Sequence, residues 1–398
     1  MSTLITRCAA MILAALTALA WTGAGAAAGP SQENVMQAKE LWVYIGTYTW
    51  EKRSRGIYLA KLDLSSGQIS APEAVAEATH PTFLAIHPNG RWLYSNVEVS
   101  DFQRQRSGAV RAFAIDQSTG ALTALNQQPT NSPGTCHVVV HPAGRHLLAA
   151  NYAGGSAVVL PIRDDGSLGP VCSLVQHEGK GPNSSRQEAP HAHSTTLDPA
   201  GRFALVCDLG VDKVYSYRFD AERGTLTPND PPAAVMAAGA GPRHLAFHPN
   251  GRYLYVINEL NNTVTVLAYE AATGAMSEVQ TIGTLPEDFR GKNTTAEVQV
   301  HPSGRFLYGS NRGHNSIAMF GIDPATGRLT AMGHEPSGGR NPRNFSVDPT
   351  GQFLLAANQD TNNVVVFRID GTTGRLTANG SVASVPMPVC VKFLAPPK

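Results

Sequence analysis

The sequence predicts an all-β chain closed into a ring of seven four-stranded antiparallel units, and three observations carry that prediction. The first is a turn that returns six times: His87-Pro88-Asn89-Gly90-Arg91, His141-Pro142-Ala143-Gly144-Arg145, Asp198-Pro199-Ala200-Gly201-Arg202, His248-Pro249-Asn250-Gly251-Arg252, His301-Pro302-Ser303-Gly304-Arg305 and Asp348-Pro349-Thr350-Gly351-Gln352. Successive copies start 54, 57, 50, 53 and 47 residues apart. A period near that length, with turn chemistry in each copy, marks an array of equivalent units. The second observation is the run of short β-branched and aromatic segments between turns. The third is another glycine turn, which recurs at Gly67, Gly120, Gly166, Gly224, Gly274, Gly327 and Gly374 and so sets the number of units at seven.

The stretch from Pro242 to Ile282 shows what one unit contains. Leu245-Ala246-Phe247 runs into the turn, where proline presets φ and glycine supplies φ > 0. Arg252-Tyr253-Leu254-Tyr255-Val256-Ile257-Asn258 is a strand pattern, broken by Asn261-Asn262 before Thr263-Val264-Thr265-Val266-Leu267-Ala268-Tyr269. The Thr273-Gly274-Ala275 turn then opens a fourth, weaker strand. Four short strands with tight turns are the pattern of a propeller blade. Pro388-Val389-Cys390-Val391-Lys392-Phe393 reads as a first strand without a blade, and Leu41-Trp42-Val43-Tyr44-Ile45-Gly46-Thr47 as a second strand without a first. Pairing them closes the ring and leaves no open sheet edge. The expected fold is a seven-bladed β-propeller over residues 41–396.

Residues 1–40 are read separately. Arg7 precedes an almost wholly apolar run from Ala9 to Trp21, followed by small residues at Ala24-Gly25-Ala26 and Ala26-Ala27-Ala28. This is the layout of a cleaved secretory signal over residues 1–28, with 29–40 a linker. The mature protein is expected in the periplasm or outside the cell, a monomer free of the membrane. Its net charge of +1 gives bulk electrostatics no hold on nucleic acid or anionic lipid. Cys136, Cys172, Cys207 and Cys390 lack metal-like spacing, and three fall in strand patterns. They read as small buried hydrophobes rather than as bridges.

The repeat supplies its own alignment, and positions that break it stand out. Strands one and two of a blade are antiparallel, so the start of the first and the end of the second share a face. Ten residues after the His/Asp anchor stand Val97, Asn151, Asp208, Asn258, Asn311 and Asn358, a structural column of side chains suited to bonding nearby backbone. One residue later nothing repeats: Glu98, Tyr152, Leu209, Glu259, Arg312, Gln359. Five before the anchor stand Thr82, Cys136, His193, Arg243, Ala296 and Arg343; four before it, Phe83, His137, Ser194, His244, Glu297 and Asn344. His191, two residues from His193, shares its side of an alternating strand. The expected mouth of the ring therefore carries His137, His191, His193, Arg243, His244, Glu259, Glu297, Arg312 and Arg343. Long connections at residues 100–107, 176–190 and 286–293 fall on the same face, where function sits on a rigid scaffold. By contrast His87, His141, His248 and His301 repeat with the fold and read as structural.

At Pro190-His191-Ala192-His193, Asp208-Leu209-Gly210, Gly241-Pro242-Arg243-His244, Asn258-Glu259 and Ser310-Asn311-Arg312-Gly313 the chain resembles the seven-bladed propeller lactonases. That family includes the propeller type of 6-phosphogluconolactonase and the carboxy-cis,cis-muconate lactonizing enzyme. The resemblance covers nearly all of the chain from Leu41 to Leu394. It implies a small-molecule lactone as substrate, no cofactor, and a site on His193, Arg243, Glu259 and Arg312 with His191 nearby. His137, His244, Glu297 and Arg343 are the further substrate-binding candidates. Arginines suit an oxyanion or an anionic substituent, and His193 suits base-then-acid work. Glu259 would orient the imidazole or act as the base. No Gly-x-Ser-x-Gly elbow is present, which favours direct attack by water over an acyl-enzyme. A metal held by His191, His193 and Glu259 or Glu297 is the competing chemistry, disfavoured by the arginines around it. A lactonizing cycloisomerase and a non-catalytic binding propeller remain open alternatives.

Overall fold

In the computed structural model of the protein, residues 37–50 and 53–397 are described. The expected signal, residues 1–28, and residues 29–36 of the expected linker lie outside them. Among the described residues twenty-eight strands, numbered β1 to β28 in chain order, form seven four-stranded antiparallel sheets. Six sheets take four consecutive strands each. The seventh joins β28 (Pro388–Leu394) to β1 (Glu40–Thr47), β2 (Gly56–Asp63) and β3 (Glu73–Glu77). Trp42 pairs with Leu394 and Gly46 with Cys390, so the expected closure of the ring is the one observed.

The blade of β16 (Pro242–Phe247), β17 (Tyr253–Asn258), β18 (Thr263–Glu270) and β19 (Ala275–Gly283) shows the polarity. Pro242 pairs with Asn258 and Asn258 with Thr263 at one end; Phe247–Leu254 and Tyr253–Ala268 pair at the other. Glu259 thus leaves the sheet beside Arg243, while the proline turn and the Gly274 turn sit together on the opposite face. The structural Asn/Asp column behaves as expected: Asn358 Nδ2 donates to Ser337 O and Asp208 Oδ1 accepts from His191 N. In the first complete blade the role passes from Val97 to Asn96, whose Oδ1 accepts from Phe83 N.

The repeating histidines join one blade to the next. His87 Nε2 meets Gly144 O at 2.9 Å, His141 meets Gly201 O at 2.9 Å, His248 meets Gly304 O at 2.8 Å and His301 meets Gly351 O at 2.8 Å. In each ring Nδ1 accepts a backbone N–H two residues on, so Nε2 carries the proton and donates. Glycine is required at the receiving turn. Gly144 has φ +73, and a Cβ there would lie 2.6 Å from the His87 ring. A second set of bonds, buried, runs parallel: Tyr44, Tyr94, Tyr255 and Tyr308 donate through their hydroxyls to the carbonyls of Gly120, Gly166, Gly327 and Gly374.

The innermost strands carry the feature that builds the site. In β8 (Thr135–Val140) Thr135 faces Asn151 but His137 faces Ala150, leaving Cys136 as an extra residue. The same skip leaves His193 extra in β12 (Ala192–Leu197), Arg243 in β16 and Arg343 in β24 (Pro342–Val347). Each is a β-bulge, which suspends the alternation of side chains and re-aims them. Two consecutive residues per blade can then serve the axis.

The buried Tyr-to-glycine bonds give a direct test of blade joining. Tyr255→Phe keeps the ring but orphans the Gly327 carbonyl, and the expected loss is about 1–3 kcal/mol of stability. Urea unfolding checks it, with catalytic constants unchanged.

Candidate functional site

Glu259 follows the last residue of β17 and is almost fully buried, at 4% exposure. Three guanidinium groups converge on its carboxylate. Arg186 Nη2 donates to Oε1 at 2.6 Å, Arg243 Nε to Oε2 at 3.1 Å and Arg312 Nη2 to Oε2 at 2.9 Å. Burial alone would raise the carboxyl's pKa, but Arg312, Arg243 and Arg186 outweigh it and hold the group well below the usual carboxylate range. Glu259 is a fixed anion with little affinity for a proton. That geometry removes it as the base and leaves it as the centre that gathers the arginines.

Each arginine is held from a second side. Arg243 Nη1 donates to Ala296 O at 2.8 Å and to His244 Nε2 at 3.2 Å. His244 therefore accepts at Nε2 and carries its proton on Nδ1, towards Glu297 Oε2 at 3.3 Å. Arg312 Nη2 also donates to Thr295 O at 2.8 Å, and Arg186 Nη2 to Tyr152 Oη at 3.3 Å. Arg186 arrives on the long 176–190 connection, which is pinned at two points. His177 Nδ1 bonds Asp208 Oδ2 at 2.6 Å within the core, and Gln187 Nε2 donates to Leu209 O and Asp212 Oδ1.

His193 lies across from this cluster, its Nε2 4.0 Å from Glu259 Oε2 and its Nδ1 buried without a hydrogen-bond partner among the described residues. Burial first, then Arg243 and His244, push its pKa well below the ordinary value, so the imidazole is neutral at neutral pH. Arg343 completes the wall, donating to Tyr48 Oη at 3.3 Å. Together Glu98, Tyr152, Arg186, His193, Glu259, Arg312 and Arg343 line a cavity of about 330 Å³. Three arginines against two glutamates give it a positive excess.

Beneath it the axis narrows to a neck of about 10 Å³, bounded by Phe83, Glu98, His193, Arg243, His244 and Arg343 among others. That is room for a single water. Below the neck the channel widens to about 450 Å³ between the innermost strands.

The structure therefore brings His193, Arg243, Glu259, Arg312 and Arg343 together, and it separates the other candidates. His137, His244 and Glu297 face the wider channel beneath the neck rather than the mouth cavity. The bulges explain the split for His137 and His244: the extra residue, Cys136 or Arg243, turns to the mouth side and its successor to the channel. His191 does not line the cavity either. It stacks on Tyr152, with ring centroids 4.5 Å apart, and its Nε2 meets Glu188 Oε1 at 3.1 Å. The His191–His193 metal pair consequently does not form, and among the described residues no group of three or more His, Cys, Asp or Glu side chains is placed to hold a metal. Cys136, Cys172, Cys207 and Cys390 are free thiols. Sequence reasoning passed over Arg186, Tyr152 and Glu98. The latter two stand in the non-repeating column beside Glu259, which was the available signal.

Over residues 42–393 the chain matches the family described as "Lactonase, 7-bladed beta-propeller". It belongs to that family. Among the lactonases it is 42% identical to the 6-phosphogluconolactonase of Bacillus subtilis over 351 residues, covering 88% of this chain and 97% of that one. It is 33% identical to a 6-phosphogluconolactonase of Formosa agariphila, over 76% of this chain and 85% of that one. The solved structure of the Pseudomonas aeruginosa periplasmic gluconolactonase, PpgL, superposes with a TM-score of 0.84 at 33% identity, covering 90% of this chain and all of that one. No helix among the described residues is long and apolar enough to cross a membrane.

The buried histidines of this lactonase fold set a pH dependence. Burial first, then neighbouring positive groups, depress His137, His193 and His244 well below 6.5 in the folded state. The unfolded chain binds protons at these groups before the folded one does. Their contribution to stability is complete above about 6.5 and is lost as pH falls from there towards the depressed values, by up to about 1.4 kcal/mol per unit for each group. Urea unfolding from about pH 7.5 down to about 5.5 is expected to show a falling midpoint.

Proposed function

We propose that the protein hydrolyses a sugar-acid lactone of the 6-phosphogluconolactone or gluconolactone type by direct attack of water. The observation that carries this reading is the buried Glu259 bound by Arg186, Arg243 and Arg312 at the wall of a positively biased cavity. Such a cluster keeps several guanidinium groups preorganised in a partly dry site, where they are worth most to a developing negative charge. Lactone opening develops that charge on the carbonyl oxygen as water adds to the carbon. The ring C–O bond then breaks, the ring oxygen takes a proton, and a hydroxy acid is released that ionises to the carboxylate.

The names of the relatives favour the same chemistry: 6-phosphogluconolactonase in two cases and periplasmic gluconolactonase in a third. A cavity of about 330 Å³ is of the size that takes a small sugar derivative. Neutral His193 is suited to hold the attacking water or the ring oxygen through a hydrogen bond. Arg243 and Arg312 would hold the oxyanion, and Arg186 or Arg343 an anionic substituent. His137, His244 and Glu297 support Arg243 from the channel side, and His191 supports Tyr152. We read the chain as a monomer without cofactor, partnered only by its lactone. Residues 1–28 are read as an export signal that places the mature enzyme in the periplasm or outside the cell, free of membrane and nucleic acid.

Wild-type protein offered glucono-1,5-lactone and 6-phosphogluconolactone should release acid from at least one faster than spontaneous opening, with and without chelator. Loss of a preorganised donor in Arg312→Ala should raise KM and lower kcat together, by about 10²–10³ in kcat/KM. His193→Ala should cost about 10² or more in kcat. Absence of turnover with every lactone in a panel would return the chain to a binding role. Edman sequencing of protein from the periplasm of the native host should start near Ala28, and recovery of the full-length chain from the cytoplasm would contradict export.

A further inference from the structure

Two carboxylates face the mouth cavity, and they are held in opposite ways. Glu259 is saturated by arginine. Glu98 is half-buried and makes no ion pair within 4 Å among the described residues; its partners are two hydroxyl groups. Tyr48 Oη donates to Oε1 at 3.0 Å, and Thr82 Oγ1 donates to Oε2. Both hydroxyls have their direction fixed by the next group outward. Arg343 Nη2 donates to Tyr48 Oη, and Asn96 Nδ2 donates to Thr82 Oγ1 at 2.7 Å. Neither hydroxyl can turn its proton away, so each Glu98 oxygen is aimed and still keeps a free lone pair.

Glu98 also stands where water and substrate meet. It lines the 330 Å³ cavity and the 10 Å³ neck below it, as His193 does. A water in the neck would have Glu98, His193 and the arginine side chains as partners, enough to seat it. A lactone in the cavity above would present its carbonyl carbon to that water, with the oxygen towards Arg243 and Arg312.

We propose that Glu98 is the general base of the reaction, a role resting on the lactonase reading above. Its carboxylate takes a proton from the neck water as the water oxygen bonds to the lactone carbon. The protonated carboxyl then gives that proton to the ring oxygen as the ring C–O bond breaks. The cycle consumes one water and returns Glu98 as the anion, with no other reactant. Glu259 and His193 are poorer choices for the same step: the first is held as an anion by three arginines, the second as a neutral ring among positive groups. Tyr48 and Thr82 are positioning residues that act through Glu98.

The test is steady-state kinetics of Glu98→Gln on glucono-1,5-lactone and 6-phosphogluconolactone, read by acid release across pH. The amide is of the same shape and its one oxygen still accepts from Tyr48 or from Thr82, though not from both, so fold and substrate binding are expected to persist. The expected kcat falls by about 10²–10⁴ with KM changed less than about threefold. The titratable and charged groups facing Glu98 are Tyr48, His80, Cys136, His193, Arg243, His244 and Arg343 around the neck, and Tyr152, Arg186, Glu259 and Arg312 across the cavity. Burial keeps Tyr48 and the thiol protonated and, with His80 and His193, favours neutral imidazoles. Loss of the acid limb of kcat/KM in Glu98→Gln therefore assigns that limb to Glu98. Formate added to Glu98→Ala should restore about tenfold or more of the lost rate, which a structural carboxylate would not allow. If Glu98→Gln fails to fold, Glu98→Asp carries the test, with reduced kcat and a retained acid limb.

A Glu98→Gln enzyme that keeps more than about a third of wild-type kcat, while His193→Ala and Arg312→Ala collapse, overturns the base and leaves the lactonase reading standing. Wild-type protein inert to every lactone overturns both.

Discussion

Everything in this molecule depends on how each blade is seated on the next, and that seating is enforced at one recurring point. At five of the seven seams a histidine or tyrosine of one blade donates to the carbonyl of a left-handed glycine in its neighbour, and at the other two Ser216 and Asn379 do so, to Gly274 and Gly67. The bond has no slack. The glycine is in contact with the very ring that bonds it, as Gly201 is with His141. Sheet-on-sheet packing by apolar residues alone would tolerate sliding, because dispersion contacts are non-directional. A buried donor and acceptor that must meet do not tolerate it. The ring therefore closes with a fixed rotation per blade, and the innermost strands present their bulges at one height around the axis.

That height is where charge is concentrated. Arg186, Arg243, Arg312 and Arg343 come from four different connections and strands, yet three of them share one carboxylate. Bringing guanidinium groups this close in a low-dielectric place is unfavourable unless an anion lies between them. Glu259 is that anion, and its own desolvation is offset only because it has several partners. The arrangement is over-determined: Ala296 and Thr295 carbonyls, Tyr152 and His244 each hold an arginine from outside. Rigid charges of this kind need little reorganisation when a substrate's charge moves.

The fold was legible because its turns require particular residues. Proline and a left-handed glycine leave a periodic mark, and the seven copies of the second glycine turn revealed the blade split between β28 and β1. The site was legible for the opposite reason, since His193, Arg243, Glu259, Arg312 and Arg343 stand in columns that keep no common residue type, beside the structural Asn/Asp column. The sequence did not reveal the bulge. It is written in no glycine or proline at residues 136, 193, 243 or 343, so His137, His244 and Glu297 read as mouth residues when they face the channel. Arg186 was hidden by distance along the chain, for its loop lies between blades and has no counterpart to align with. Glu98 stood in the right column, but only the hydroxyls of Tyr48 and Thr82 set it apart from a surface acid.

The ring closure also sets which way the molecule faces when it is attached to something. In β1 the Thr47 end is at the mouth and the Glu40 end at the far face, since Glu40 pairs with Asp63 and Thr47 with Pro388. Leu394, paired with Trp42, is at that far face too. Chain entering the ring at Glu40 and chain leaving after Leu394 therefore emerge side by side on the blunt end of the disc. A tether at either point would leave the arginine-lined opening directed away from the support. Immobilising or fusing the protein there preserves access to its cavity, whereas the same linker placed in the 176–190 connection would lie across it.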